Sequence, residues 1–329
     1  MREPNPEFWR GRRVFVTGAS GLLGSHVVRE LVSMGAEVTA LMRDMVPRSL
    51  LVRSGLLSSV NTVRGAITDG QLMQRILVEY QIQSVFHLAA QTQVTYAQAD
   101  PIETFDVNIA GTYQLLDACR LYGDCTEIVA ASSDKAYGQQ KDLPYTECSP
   151  LLGSYIYDAS KTCTDILTRS YATSFGLPTA VTRLANLFGP GDLNFDRIVP
   201  GTSRSVLRQE PIMIRSDGTP QREYIYVGDG VRAYLIVAED IQSKGLAGQA
   251  FNFGLGYPIT VLDVVDAIKQ AAAKPEVPVE LLGQARGEID AQWMDSSRAR
   301  EQLGWEPRWT FAQGLEQTIP WYAEYLKVG

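Results

Sequence analysis

The sequence is poor in histidine and cysteine, and this scarcity limits the kinds of active site it can hold. The 329-residue chain has two histidines, His26 and His87, and four cysteines with no Cys-x-x-Cys pair. A histidine-rich metal site and a Ser-His-Asp triad of the usual form are therefore disfavoured, and we expect no metal ion. Because the N-terminus lacks an apolar leader, we expect free thiols and a cytoplasmic location.

Long apolar runs and an excess of basic residues are also missing. No stretch approaches the ~18 uninterrupted apolar residues of a membrane-spanning helix, so we expect no membrane partner. The chain has 30 Lys and Arg against 37 Asp and Glu, a net charge of −7. Since phosphate backbones attract basic surfaces, this balance disfavours a nucleic-acid binder.

The sequence does contain a regular alternation of short apolar runs and longer amphipathic stretches. Arg13–Thr17, Glu37–Leu41 and Ser84–Leu88 have the character of buried strands, whereas Leu22–Met34 and Ile102–Tyr122 have helical spacing. This alternation predicts an α/β fold, a Rossmann-type, doubly wound parallel sheet with helices on both faces. After residue 186 the pattern changes, which predicts a smaller, mostly C-terminal α/β domain packed directly on the first.

Three glycines follow the first predicted strand. Gly18, Gly21 and Gly24 are spaced G-x-x-G-x-x-G and precede the first helix. Glycines at such a turn let the backbone approach a pyrophosphate, and the helix N-terminus supplies amide donors, so we predict a dinucleotide cofactor. After the second strand, Asp44 suits a ribose hydroxyl and Arg43 suits a 2′-phosphate, which leaves NAD and NADP both open.

Two further groups of residues have side chains that can take part in acid–base catalysis. Tyr157 and Lys161 are four residues apart, which places both on one face of a predicted helix, where the ammonium favours the phenolate. Ser133, Asp134 and Lys135 follow the predicted strand EIVAA, at the edge of a parallel sheet where ligands bind. Neighbours within a strand point to opposite faces, but a turn just past the strand could aim both Asp134 and Lys135 inward.

Together these motifs resemble the extended short-chain dehydrogenase/reductases, the family of NAD-dependent nucleotide-sugar epimerases and dehydratases. The resemblance covers essentially the whole chain and rests on VTGASGLLGS, HLAAQ, NIAGT, SSDKAYG, YDASK, RLANLFGP and REYIYVGD. Within the family, FWRGRRVFVTG, DRIVP, LGWEPRW and the Ser-Asp-Lys run are most similar to the CDP-glucose 4,6-dehydratases. Epimerases usually carry Ser, Ala or Glu at the positions of Asp134 and Lys135, so this pair favours dehydration.

The resemblance implies a redox-neutral reaction that forms a 4-keto-6-deoxy sugar. Tyr157, assisted by Lys161 and Ser133, would deprotonate the C4 hydroxyl while hydride passes to a tightly bound NAD or NADP. Lys135 would remove the C5 proton and Asp134 would protonate the leaving C6 hydroxyl, after which the hydride returns to C6. The alternative is a 4-epimerase with the same Tyr-Lys chemistry, in which Asp134 and Lys135 only shape the pocket. A third hypothesis is a catalytically inactive NAD(P)-sensing or scaffold protein that has kept the fold.

The resemblance also implies binding residues, a domain division and an oligomer. It assigns residues 1–184 plus 224–258 to the cofactor and residues 185–223 plus 259–329 to a nucleotide-diphospho-sugar substrate. We expect a homodimer or a dimer of dimers. The expected cofactor-binding residues are Gly18, Ser20, Gly21, Leu22, Leu23, Gly24, Arg43, Asp44, Ile67, Leu88, Ala89, Ala90, Tyr157 and Lys161. The expected substrate-binding residues are Gln91, Ser133, Asn186, Arg197 and Arg222.

Overall fold

The computed structural model describes residues 1–284 and 289–327. The strands within these ranges are β1 (Arg13–Thr17), β2 (Glu37–Met42), β3 (Asn61–Arg64), β4 (Ser84–His87), β5 (Glu127–Ala131), β6 (Thr179–Leu184), β7 (Asn186–Phe188), β8 (Ile212–Ile214), β9 (Gln221–Arg222), β10 (Tyr224–Tyr226), β11 (Ala250–Phe253), β12 (Ile259–Thr260), β13 (Val279–Leu281) and β14 (Ala291–Gln292).

Helices alternate with the strands over most of the chain. They are α1 (Pro6–Trp9), α2 (Leu22–Ser33), α3 (Leu50–Arg53), α4 (Gly70–Glu79), α5 (Val94–Ala99), α6 (Pro101–Phe105), α7 (Gly111–Tyr122), α8 (Ile156–Phe175), α9 (Ile198–Arg208), α10 (Val227–Ser243), α11 (Val261–Ala271) and α12 (Phe311–Lys327). In the described part of the chain, no helix is both long and apolar enough to cross a bilayer.

The main sheet has seven parallel strands in the order β11-β6-β5-β4-β1-β2-β3. Its central strands are buried on both faces, which explains their continuous apolar sequence. On β1, Val14 and Val16 pack into the cluster formed with α2 and α10, whereas Phe15 packs into the cluster formed with α4 and α7. The predicted Rossmann-type, doubly wound α/β fold is confirmed.

A third apolar cluster lies outside the main sheet. It joins α9, α11 and α12, with Val206, Ile268 and Leu315 among its buried side chains. Three small sheets border it, namely β7 with β10, β8 with β13, and β9 between β12 and β14. These sheets bring residues from position 186 onward up to the carboxyl edge of the main sheet.

The predicted long helix over Ile102–Tyr122 is interrupted. A π-turn over Asp106–Ala110 separates α6 from α7. Within it the Asn108 side chain accepts from the Gln91 amide at 2.7 Å and donates to Ser160 Oγ at 2.8 Å. The local distortion of the helix places this buried amide between the end of β4 and helix α8.

Candidate active site

The glycine turn between β1 and α2 forms a close backbone cradle. A Cβ atom at Gly24 would lie 2.1 Å from the Gly18 carbonyl oxygen, and one at Gly18 would lie 2.7 Å from Ala89 N. Gly18 has a φ of +68°, a conformation that favours glycine. Because α2 starts without a side-chain cap at Gly21, the first amides of the helix are available to an anionic ligand. The turn therefore fits a dinucleotide pyrophosphate.

The segment after β4 is fixed against this turn by a buried threonine. Thr17 Oγ1 accepts hydrogen bonds from the amides of Leu88 and Ala89, both at 3.1 Å, and contacts His87 Nδ1 at 3.0 Å. His87 Nε2 contacts Thr112 Oγ1 at 3.0 Å, and burial lowers the pKa of His87 to about 3. His87 is therefore a neutral structural residue that joins the cofactor turn to α7.

The other expected cofactor residues lie around this turn and at the end of β2. Ser20, Leu22, Leu23 and Ala90 are partly exposed, and the Ile67 side chain is buried below Gly111. Arg43 Nε lies 2.7 Å from Asp44 Oδ2, and its guanidinium also reaches Glu103 at 3.2 Å. Since two carboxylates already face Arg43, the end of β2 suits a ribose hydroxyl better than a 2′-phosphate.

Tyr157 and Lys161 occupy the first turns of α8. Lys161 is buried and its Nζ donates to the Ala131 carbonyl at 2.9 Å; burial lowers the pKa of Lys161 to about 8. Tyr157 is hydrogen-bonded to the Ser133 side chain, yet burial raises the pKa of Tyr157 to about 12. The charge of Arg197 and the Ser133 hydrogen bond act against this rise, whereas Asp134 adds to it.

This balance differs from the sequence-based expectation for the phenol. In the structure the positive charge that most favours the Tyr157 phenolate belongs to Arg197, and the Lys161 ammonium is directed at a backbone carbonyl. Arg197, rather than Lys161, is therefore the charge that most opposes the raised pKa of Tyr157.

Asp134 and Lys135 both face into the site because they begin a 3₁₀ turn. Ser133 caps this turn (Asp134–Tyr137), and its Oγ donates to Asp134 Oδ1 at 2.9 Å while accepting from Lys135 N at 3.2 Å. Lys135 Nζ lies 3.2 Å from Asp134 Oδ2 and also donates to Gln292 Oε1. The side chains are 3% exposed for Asp134 and 20% exposed for Lys135, and the Lys135 ammonium is held by Asp134 and Gln292.

The expected substrate residues line several elements of this edge. Arg197 precedes α9 and lies 3.3 Å from Asp192 Oδ2, and Asn186 Nδ2 donates to the Glu223 carbonyl at 3.0 Å. Arg222 lies on β9, directly opposite Gln292 of β14. The structure thus brings Arg197 close to Tyr157 and pairs Arg222 with Gln292, which contacts Asp134 and Lys135.

Gln91 is oriented differently from the other expected substrate residues. Its side-chain oxygen accepts from the Gln93 amide at 2.9 Å, and its backbone is held by Asn108. Its side-chain oxygen is therefore engaged locally.

Three residues of the site were not identified from the sequence. Gln292 contacts both Asp134 and Lys135 from the far end of the chain. Burial raises the pKa of Asp158 to about 6 although Lys135 opposes the rise, and burial raises the pKa of Glu223 to about 7, with the Asp134 charge adding to it. Asp158 stands inside the YDASK motif and Glu223 inside the REYIYVGD motif, so both could have been noticed there, whereas no local pattern marks Gln292.

This group of side chains is suited to acid–base and hydride-transfer chemistry on a hydroxylated substrate. A phenol and a serine hydroxyl lie at one end of the site, and a carboxyl–ammonium pair lies one residue further along the same turn. Such groups can remove a hydroxyl proton, take a proton from carbon and protonate a leaving oxygen.

Comparison with known proteins agrees with this chemistry. The family model described as GDP-mannose 4,6 dehydratase matches residues 15–318. The CDP-glucose 4,6-dehydratase of Salmonella typhimurium is 31% identical, covering 97% of this chain and 93% of that protein.

Solved structures of a 4,6-dehydratase and of a 4-epimerase share the fold of this chain. The dTDP-glucose 4,6-dehydratase of Streptomyces venezuelae, solved with NAD bound, superposes with a TM-score of 0.84 at 27% identity, covering 95% of this chain and 97% of that one. The UDP-glucose 4-epimerase of Thermotoga maritima, solved with UDP-glucose, gives 0.87 at 29% identity, covering 95% and 99%. The chain belongs to the GDP-mannose 4,6 dehydratase family, within the NAD-dependent epimerases and dehydratases that its motifs resemble.

Proposed function

We propose that this protein is a nucleotide-diphospho-sugar 4,6-dehydratase, similar to the CDP-glucose enzymes, that forms a 4-keto-6-deoxy sugar. The observation that carries the proposal is the enclosed Asp134–Lys135 pair beside the Tyr157–Ser133 contact. Oxidation at C4 needs only the phenol, its partners and a hydride acceptor. Loss of water across C5 and C6 needs a further base and a further acid, and this pair supplies both.

The glycine turn is the proposed site of NAD. Bound there, NAD supplies a hydride acceptor for C4 and a hydride donor for C6 within one turnover. The residues proposed to hold it are Gly18, Ser20, Gly21, Leu22, Leu23, Gly24, Arg43, Asp44, Ile67, Leu88, Ala89, Ala90, Tyr157 and Lys161.

Tyr157 is the proposed base for the C4 hydroxyl. The Ser133 hydrogen bond and the Arg197 charge favour its phenolate. Lys161 fixes the start of α8 to β5 through the Ala131 carbonyl and contributes a buried positive charge. Tyr157 therefore has the partners that proton removal from a sugar hydroxyl requires.

The Asp134–Lys135 pair can complete the elimination with a balanced proton count. Transfer of one proton across the 3.2 Å contact converts the ammonium and carboxylate into an amine and a carboxylic acid. The Lys135 amine then takes the C5 proton, and the Asp134 acid gives its proton to the C6 hydroxyl as water leaves. The pair is then back in its starting ionic form. When hydride is returned to C6, C5 takes up a proton from solvent, and Tyr157 releases to solvent the proton it took from the C4 hydroxyl.

The second region of the chain is the proposed substrate-binding domain. We assign it residues 185–223 plus 259–329, with residues 1–184 plus 224–258 forming the cofactor domain. Arg222 and Arg197 are the proposed diphosphate-binding cations, because guanidinium groups bind phosphate oxygens in a bidentate manner. Asn186, Gln91 and Ser133 are the proposed polar contacts to the remainder of the nucleotide sugar.

The assembly is proposed to be a homodimer or a dimer of dimers formed through α7 and α8. Exposed apolar side chains on these helices support it, namely Tyr113, Leu121, Ile166 and Phe175. We also propose a cytoplasmic location, which the four free cysteines support. Sedimentation analysis of the purified protein tests the oligomer.

A product analysis with a panel of nucleotide sugars tests the activity. The enzyme is incubated with CDP-glucose, dTDP-glucose, UDP-glucose and GDP-mannose in deuterated water, and the products are analysed by mass spectrometry. We expect one of them to lose the mass of one water and to gain deuterium at C5. A product of unchanged composition with inverted C4 would identify a 4-epimerase and overturn the proposal.

A further inference from the structure

The Gln292 side chain bridges the two members of the acid–base pair. Its Oε1 accepts from Lys135 Nζ, and its Nε2 donates to the Asp134 backbone carbonyl at 2.7 Å. Gln292 is fully buried, and residues of this one turn provide hydrogen-bond partners for both the oxygen and the nitrogen of its side-chain amide. These contacts span more than 150 positions of sequence and join β14 to the 3₁₀ turn after β5.

The strand that carries Gln292 is fixed on both sides. Next to Gln292, Trp293 O accepts from Tyr145 N at 3.0 Å, and Met294 N donates to Glu223 Oε2 at 3.0 Å. Since Glu223 is itself buried, β14 cannot shift without breaking these bonds. The Gln292 amide is therefore held in one place relative to the turn.

β14 also connects this amide to the proposed diphosphate site. Gln292 and Arg222 are directly paired across the parallel strands β14 and β9. Side chains at paired positions of adjacent strands lie on the same face of a sheet. Arg222 and Gln292 are thus direct neighbours on β9 and β14, and the Arg222 guanidinium donates to the Gln221 carbonyl at 2.9 Å.

On the basis of the proposed function, we propose that Gln292 is a positioning residue that orients Lys135 and Asp134 for the elimination step and links their orientation to the strand that binds the diphosphate. Its neutral oxygen holds the Lys135 nitrogen without adding a charge. A carboxylate in its place would stabilise the ammonium form and oppose the proton transfer that produces the amine.

The surrounding charges make this neutrality important. Lys135 already faces Asp134 on its own turn and Asp158 from α8, and Tyr157 and Glu223 interact electrostatically with Asp134. Arg222 on β9 is the nearby cation beside Gln292. One more negative charge at position 292 would leave Lys135 within a strongly anionic cluster.

The test compares Gln292→Glu and Gln292→Met with Gln74→Glu, which adds the same charge on the exposed side of α4. Each variant is assayed with whichever of CDP-glucose, dTDP-glucose, UDP-glucose and GDP-mannose the parent enzyme converts. Bound-cofactor reduction reports C4 oxidation, whereas C5 deuterium uptake and water loss report elimination. Circular dichroism and cofactor reduction together show that each variant is folded.

We expect both Gln292 variants to reduce the cofactor within a few-fold of the parent rate but to lose about 10²-fold in water elimination, since misplaced catalytic groups cost about that much. The pH–rate profile of Gln292→Glu should move to higher pH by about one unit or more, because the added carboxylate retains protons on the pair. Gln74→Glu should match the parent.

Elimination at the parent rate with an unmoved pH profile in both Gln292 variants would overturn this inference and leave the proposed function intact. A parent enzyme that eliminates water from none of the four sugars would overturn the proposed function, and this inference with it.

Discussion

Lys135 Nζ lies 3.2 Å from Asp134 Oδ2, so two consecutive residues meet side chain to side chain within the site. In an extended strand their side chains would point to opposite faces. The 3₁₀ turn capped by Ser133 removes that alternation directly after β5. The same contact is a salt bridge in the resting protein and, in the proposed reaction, the path by which one proton moves between base and acid.

The first prediction concerns this pair. Lys135→Ala and Asp134→Asn should each leave C4 oxidation measurable as reduction of the bound cofactor, while water elimination falls by about 10²–10⁴-fold, the usual contribution of a general acid or base. Lys141→Ala and Asp142→Asn, a neighbouring exposed pair, serve as controls. Dehydration at the parent rate in either active-site variant would show that the pair only shapes the pocket.

The second prediction concerns the phenol. Tyr157→Phe should abolish cofactor reduction, because it removes the group that takes the C4 hydroxyl proton, with a loss of about 10²–10⁴-fold in rate. Stopped-flow absorbance of the bound cofactor measures this step, and Tyr155→Phe, two residues earlier on the surface, is the control. Unchanged reduction in Tyr157→Phe would refute the assignment of the base.

The third prediction concerns the glycine turn. Gly24→Ala should destabilise the fold by about 1–3 kcal/mol and weaken NAD binding, because the new methyl group would overlap the Gly18 carbonyl. Gly21→Ala should cost less, since its Cβ would meet that oxygen at 3.3 Å. Thermal melts with and without NAD measure both effects. Equal loss of stability and of NAD binding in the two variants would contradict the close backbone packing inferred for the glycine turn.

The fourth prediction concerns substrate binding. Arg222→Lys keeps the positive charge but loses the planar fork of donors, so KM for the nucleotide sugar should rise by about tenfold with a smaller change in kcat. Arg10→Lys, on the exposed α1 surface, should leave both constants unchanged. A variant at position 222 with parent KM would exclude a bidentate diphosphate contact there.

The fifth prediction uses the buried imidazole of His87. Its pKa is lowered from 6.5 to about 3 because of burial, so below pH 6.5 the unfolded chain binds a proton that the folded chain does not. Stability from this residue is therefore present above pH 6.5 and is lost progressively as the pH falls towards about 3. His87→Gln should reduce the slope of the unfolding free energy against pH by about 1.4 kcal/mol per pH unit between these values.

Urea denaturation at several pH values checks the His87 prediction. Asp158 and Glu223 have raised pKa values and give a slope of opposite sign, but this slope is common to both proteins and cancels in the comparison. If the unfolding free energy depends on pH with the same slope in the parent and in the variant, His87 takes up its proton while the protein remains folded.

Much of the fold could be predicted from the sequence because buried parallel strands are short apolar runs separated by amphipathic helices. Arg13–Thr17 is predicted with the bounds that the structure has, and the predictions for Glu37–Leu41 and Ser84–Leu88 each differ from the structure by one residue at the C-terminal end. The prediction of one continuous helix over Ile102–Tyr122 is wrong at the π-turn. The spacing of apolar residues does not reveal a turn that contains one extra residue.

The site was only partly predictable. Glycine spacing and the Tyr-Lys pair are local patterns, so sequence alone identified them. Gln292 lies on a two-residue strand and reaches the site only through its pairing with β9, which no local pattern encodes. The raised pKa of Tyr157 could likewise not be predicted from the sequence, because burial is a property of the assembled structure.

The most direct measurement follows one hydrogen atom. The nucleotide sugar that the enzyme converts is supplied with deuterium at C4, and the product is analysed by NMR and mass spectrometry. The proposed dehydration predicts that the deuterium leaves C4 and is recovered at C6 of a 4-keto-6-deoxy product. Deuterium retained at C4 of an intact hexose would show that Asp134 and Lys135 do not eliminate water, and would contradict the account.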